Sequence, residues 1–121
     1  MIEFRLDPKT GTPFYRQIID QIIFGIAAGR LKTGEQLPTV RSLAVELKVN
    51  LNTVAKAYKE LEILKVLETH QGTGTFIGEA KIQLSEKKKS AKLKEICNEF
   101  CAIAFSYGFS KQDIIDQLKK Q

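Results

Sequence analysis

Two helix-start signals fall close together in the middle of this chain, and a tight turn is all that can separate the segments they open. Pro38-Thr39 precedes the short apolar-faced run Val40 to Leu47, and Asn50 precedes a second run through about Lys65. A Thr or Asn side-chain oxygen can satisfy the free amides of a helix start, so both positions read as N-caps. Only Lys48 and Val49 remain for the connection. Val54, Tyr58, Leu61 and Leu64 share one face of the second run. That arrangement, two short helices across a tight turn, predicts a helix-turn-helix. Asn50 is read as a structural cap in preference to a base contact.

The flanking segments build on this unit. Ile2-Glu3-Phe4-Arg5-Leu6 alternates apolar and charged residues, the pattern of a half-buried strand or extended arm. Thr12-Pro13 signals a helix through about Ala28, with Thr12 as its cap and Gly29 as its stop. Phe14, Ile18, Ile19, Ile22, Ile23 and Ile26 give that helix an apolar face. Leu31 to Leu37 reads as a loop. After the second capped run, Val66 to Thr69 and Thr75 to Ile77 are strand-like and flank Gln71-Gly72-Thr73-Gly74, a hairpin signal. Beyond a boundary near residue 80, Glu86 opens a fourth helix whose apolar positions run from Leu93 to Phe105. Gly108 interrupts, and Ser110 caps a last helix carrying Ile114, Ile115 and Leu118.

Composition bounds what such a chain can do. With 121 residues it can hold one compact domain and a modest appendage, and 43% hydrophobic residues suffice for a core. No apolar run approaches the roughly 20 residues of a membrane span, and the opening residues lack a signal peptide's hydrophobic stretch, so a cytoplasmic protein with no membrane partner is expected. The net charge of +5 is unevenly placed: residues 1–79 carry 10 Lys and Arg against 9 Asp and Glu, whereas residues 80–121 carry 9 against 5. Charge alone therefore does not mark the first segment as a nucleic-acid binder. Cys97 and Cys101 lie one helical turn apart and are read as reduced residues in buried packing, with no metal site, because no second pair or histidine accompanies them. His70, the only histidine, has no acid or nucleophile partner in the pattern, and no phosphate loop or carboxylate pair stands out. An enzyme is not indicated, and no cofactor is expected.

At the residue level, Leu37-Pro38-Thr39-Val40-Arg41-Ser42-Leu43-Ala44, Asn50-Leu51-Asn52-Thr53-Val54, Leu61-Glu62 and Gly72-Thr73-Gly74-Thr75-Phe76-Ile77 together resemble the GntR family of regulators over roughly residues 8–78. The short helical tail and Asn52-Thr53-Val54-Ala55-Lys56-Ala57-Tyr58 resemble its YtrA subfamily. The resemblance implies a DNA contact from Arg41, with the cap residue Thr39 beside it. It also implies contacts from the first turns of the third helix, at Leu51, Asn52, Thr53 and Ala55. Arginines are common in the family at the places held here by Leu51 and Ala55, so base readout must lean on other side chains. Asn52 offers a donor and an acceptor, Thr53 a hydroxyl, and Lys56 and Lys59 lie on the exposed side. Gln71, Gly72, Thr73 and Gly74 map onto the family's DNA-contacting wing tip, and His70 adjoins it. Lys87-Lys88-Lys89 is read as a solvated helix start.

The expected fold is therefore α+β. A winged helix-turn-helix of three helices and a β-hairpin wing occupies residues 1–79, and a two-helix dimerisation module occupies residues 80–121. Ile96, Phe100, Ile103, Phe105 and Ile114 are expected to meet a second copy. The expected function is sequence-specific repression by a homodimer on a pseudo-palindromic double-stranded operator. The tail has room for a small effector pocket at most. Two rivals stand beside this reading: a winged helix used for protein contacts, and a redox- or metal-responsive regulator built on Cys97 and Cys101.

Overall fold

The computed structural model describes residues 2–121. It contains helix α1 (Phe14–Ala27), strand β1 (Gln36–Leu37), helices α2 (Val40–Leu47) and α3 (Leu51–Ile63), strands β2 (Leu67–His70) and β3 (Gly74–Ile77), and helices α4 (Glu86–Ser106) and α5 (Lys111–Lys119). The three strands form one antiparallel sheet in the order β1-β3-β2. The chain divides into two compact units, the first ending at Gln83 and the second spanning Leu84–Gln121.

Both expected caps of the helix-turn-helix are made. Thr39 Oγ1 accepts from the Ser42 amide at 3.0 Å, and Asn50 Oδ1 accepts from the Asn52 amide at 2.8 Å. Lys48 adopts a left-handed conformation (φ 58°) and turns the chain between the two helices. The buried faces then follow the apolar period: Leu43 and Ala44 from α2 meet Val54, Ala57, Tyr58 and Leu61 from α3 and Ile18, Ile19 and Ile22 from α1. Leu31, Leu37, Val66, Leu67 and Ile77 close this core from the sheet side. Leu61, Ile22 and Ile18 are fully buried, so each contributes on the order of 1.5–3 kcal/mol through burial alone.

One polar bond ties the two central helices together. The Tyr58 hydroxyl, on a side chain only 2% exposed, donates to the Pro38 carbonyl at 2.7 Å, just ahead of the cap that opens α2. Burial pushes its pKa above the ordinary 10.0, with the charge of Glu46 adding to the shift, so the phenol remains a donor at neutral pH. Its raised pKa stabilises the fold below the ordinary value, and that contribution is lost as the pH rises above it. Tyr58→Phe leaves the Pro38 carbonyl without this donor and is expected to cost about 1–2 kcal/mol, read as a lower urea midpoint with an unchanged slope.

Several expectations are corrected. Thr12 does not cap α1: Pro13 occupies the cap position without a side-chain bond, and the Pro13 carbonyl accepts from the Arg16 and Gln17 amides at 3.1 Å each. Residues 2–6 join no strand. The arm is held by side chains, with Gln21 bonding both the amide and the carbonyl of Arg5 at 3.0 and 2.6 Å, while the alternation still buries Phe4 and exposes Glu3 and Arg5. The loop before α2 yields the two-residue strand β1, which pairs Gln36 with Phe76 and Leu37 with Thr75. The third helix ends at Ile63, because Lys65 turns left-handed (φ 65°) to send the chain into β2. Gly78 is needed at the far end of the hairpin: its amide donates to the Val66 carbonyl at 2.7 Å, and a Cβ there would lie 2.8 Å from the Lys65 carbonyl oxygen.

The second unit is a helical hairpin. Ser85 caps α4, and Ser110 and Asp113 form a reciprocal capping box that opens α5. The same bonds, from the Ser110 amide above all, lower the Asp113 pKa. Cys97 and Cys101 depart from expectation. Both are free thiols, Cys97 exposed and Cys101 partly exposed, and no residue of α4 is buried. Ile114 departs in the other direction: it is buried on α5, so it helps to build the hairpin and presents little surface to another molecule. Ile96, Phe100, Ile103 and Phe105 remain exposed.

Candidate nucleic-acid interface

The buried stripe of α3 dictates what the opposite face displays. With Val54, Ala57, Tyr58 and Leu61 facing inward, Leu51, Asn52, Lys56 and Lys59 are exposed, while Thr53 and Ala55 are half-buried. Arg41, second residue of α2, is exposed as well. Among the described residues no carboxylate pairs with Arg41, Lys56 or Lys59. Exposed cations that no carboxylate neutralises are free to meet an anion such as a phosphate. Thr39 is less available, since its hydroxyl oxygen already serves the Ser42 amide.

Lys56 has a neighbour that local sequence does not reveal. Its Nζ lies 3.9 Å from the centre of the Tyr15 ring on α1, and the Arg16 guanidinium approaches the same ring at 5.8 Å. Arg16 also reaches Glu60 of α3 at 3.8 Å. These contacts place a cation–π pair on the flank of α3. Helical periodicity flags the apolar face of α1, but it cannot say which aromatic edge a lysine from a distant helix will meet.

The wing is built from β2, β3 and the three-residue turn Gln71–Thr73 between them. Strand pairing matches Thr69 with Thr75 and His70 with Gly74, so the hairpin is one residue longer at its tip than the apolar pattern suggests. Gln71, Gly72 and Thr73 are exposed, and Gly72 takes the left-handed conformation (φ 81°) that the turn requires. Gly74 is held at φ 136°, which disfavours any side chain there, and beside it the Gln36 side-chain amide donates to the Thr73 carbonyl at 3.0 Å. Gln36 of β1 therefore braces the wing tip, a role missed when its segment reads as loop. His70 packs edge-on against Phe76 with ring centres 5.3 Å apart, and its Nε2 lies 3.6 Å from Glu68. It is exposed at the base of the tip.

Among the described residues no group of three His, Cys, Asp or Glu side chains could hold a metal ion, and no helix is long and apolar enough to cross a membrane. A capped helix pair with a free cationic and polar face, flanked by a glycine-tipped hairpin, defines a winged helix-turn-helix of the DNA-binding class.

The family model for the GntR bacterial regulatory proteins matches residues 14–77, which span α1 through β3, and the chain belongs to that family. The transcriptional repressor YtrA of Bacillus subtilis is 39% identical over 117 residues, covering 96% of this chain and 89% of that protein. The structure of YtrA from Sulfolobus acidocaldarius, a GntR-family transcription factor, is 31% identical with a TM-score of 0.57 and covers 96% of this chain and 93% of its own. The DNA-binding domain of AraR, solved in complex with operator ORE1, is 27% identical with a TM-score of 0.53 over 64% of this chain and 95% of that one. The protein is thus a DNA-binding transcription regulator of α+β winged-helix architecture, which decides against a winged helix used only for protein contacts and against an enzyme.

Proposed function

We propose that this regulator represses transcription from the cytoplasm as a homodimer on a pseudo-palindromic operator. The first turns of α3 and Arg41 face base edges and phosphates in the major groove, and the wing tip follows the adjacent backbone. The observation that carries this reading is the exposed set Arg41, Asn52, Lys56 and Lys59, none of its cations tied to a carboxylate, on the sides of α2 and α3 that the core leaves open. Gln71 and Gly72 offer main-chain amides at the wing tip, which Thr73 and Gly74 shape, with His70 beside them, and Thr53 adds a hydroxyl from α3. Thr39 contributes chiefly by fixing the start of α2.

The tail, residues 80–121, serves as the dimerisation module, through Ile96, Phe100, Ile103 and Phe105. Cys97 and Cys101 lie alongside and gain their cover from the second copy. Within the tail only Ile114 is buried among the described residues, so an effector pocket would need both copies to enclose it.

A salt titration tests the DNA face. Protein is titrated onto a duplex selected from a randomised pool and onto a scrambled duplex, at two salt concentrations. The expected result is tight binding to the selected duplex that falls steeply with salt; equal and negligible binding to both duplexes would count against it. The Tyr15–Lys56 contact gives a second readout. Lys56 held over the ring has lost side-chain freedom before DNA arrives, and ordering such a side chain costs about 0.5–1.5 kcal/mol, so Tyr15→Leu is expected to lower affinity about two- to tenfold per half-site. Tyr15→Phe keeps the ring and is expected to bind as the parent does. Anisotropy titrations of the two variants measure the difference.

A further inference from the structure

The leading edge of α3 is apolar where a groove-reading helix has most to gain from charge. Leu51 is the first residue of the helix and is 41% exposed, belonging neither to the core nor to the side chains packed against it. Ala55, one turn on, lies on the same side and is half-buried. Between them Asn52 and Thr53 carry side chains with both a donor and an acceptor, and Asn52 is the more exposed of the two. The first cation of the helix is Lys56, beyond Ala55, and it lies over the Tyr15 ring on the flank of the helix.

An exposed leucine at that edge gains nothing from phosphate or from the polar atoms of guanine, cytosine or adenine. It gains from the one apolar group the major groove displays, the 5-methyl of thymine. We infer that Leu51, with Ala55 behind it, is a specificity-determining residue that selects thymine in each half-site by covering its methyl group. The inference rests on the proposed entry of α3 into the major groove. Asn52 beside it suits an adenine, so the pair favours an A·T step within reach of the helix start.

Thymine methyls can be removed one at a time. The full-length protein selects a duplex from a randomised pool, and the selected sequence is resynthesised with deoxyuridine replacing thymine at each position in turn, symmetrically in both half-sites. Removing one covered methyl lowers affinity about fourfold, so a symmetric pair is expected to lower it about fifteenfold at one thymine position. Leu51→Ala, at an exposed site that leaves the core intact, is expected to lose most of the discrimination between the thymine and deoxyuridine duplexes, with unchanged thermal unfolding. Leu51→Arg is expected to select guanine there in its place.

Three results overturn the inference, and they differ in what else they remove. If the parent protein prefers its selected duplex to a scrambled one but ignores every deoxyuridine, the methyl contact is absent while DNA recognition stands. If the deoxyuridine effect persists undiminished in Leu51→Ala, the methyl is read by another group. If no duplex is enriched above background, the entry of α3 into the groove fails and the inference goes with it.

Discussion

Arg41→Ala is expected to lower operator affinity by between about one and four orders of magnitude and to leave the fold untouched. The second half of that statement follows from position. Arg41 is exposed on α2 and has no ion-pair partner among the described residues, so its removal strands no buried charge and opens no cavity. The first half follows from chemistry. A guanidinium fork placed on a guanine edge or a phosphate contributes about 1–3 kcal/mol, and a two-fold dimer makes the contact twice, for a loss of roughly 2–6 kcal/mol per operator. Arg41→Lys keeps the charge and loses the fork, so it recovers only part. Fluorescence anisotropy at fixed salt measures the loss, with thermal unfolding run in parallel. The scrambled duplex adds a distinction: a loss confined to the selected duplex places Arg41 on a base, while an equal loss on both places it on the backbone. Affinity within twofold of the parent at unchanged stability would remove Arg41 from the interface.

The helix-turn-helix was legible because its signals are local. A cap is made by a side chain reaching two or three residues ahead, so Thr39, Asn50 and Ser110 could be read directly, and the apolar period of α3 then fixed which side chains stay in solvent. Exposure of Arg41, Asn52, Lys56 and Lys59 follows from that same geometry. What local pattern could not supply was partnership across long separations. Strand β1 has two residues, too few for any period, and exists because β3 offers an open edge to Gln36 and Leu37. Tyr15 meets Lys56, Tyr58 meets Pro38, and Gln36 meets Thr73 only once the chain is folded. Thr12 carried the right chemistry for a cap, yet the helix begins one residue later and Pro13 takes the place. In the tail, periodicity marked an apolar face correctly but could not say what covers it. Ile114 is covered by its own hairpin, whereas Cys97 and the residues near it are left open.

That open face carries the other large effect: Phe100→Asp is expected to give a folded monomer that binds the full operator at least 100-fold more weakly. Leu93, Ile96, Phe100 and Ile103 fall at alternating three- and four-residue intervals along α4 and are 63%, 51%, 50% and 60% exposed. This spacing is that of a helix seam that packs knobs into the holes of a facing helix. An aspartate at its centre must either be desolvated, at a cost of several kcal/mol, or hold the two seams apart. No residue of α4 is itself buried, Phe100 is half-exposed and lies outside the first unit's core, and the winged unit should unfold at its usual temperature. The consequence for DNA is one of linkage. A dimer already anchored on one half-site presents its second reading head at an effective concentration near the millimolar range, and a monomer forfeits that advantage. Sedimentation equilibrium gives the assembly state, and titrations on full and half operators separate the two causes: the variant should match the parent on a single half-site and fall behind only on the pair. A Phe100→Asp protein that still sediments as a dimer would place the subunit contact elsewhere, and equal weakening on the half-site would point to damage in the reading head itself.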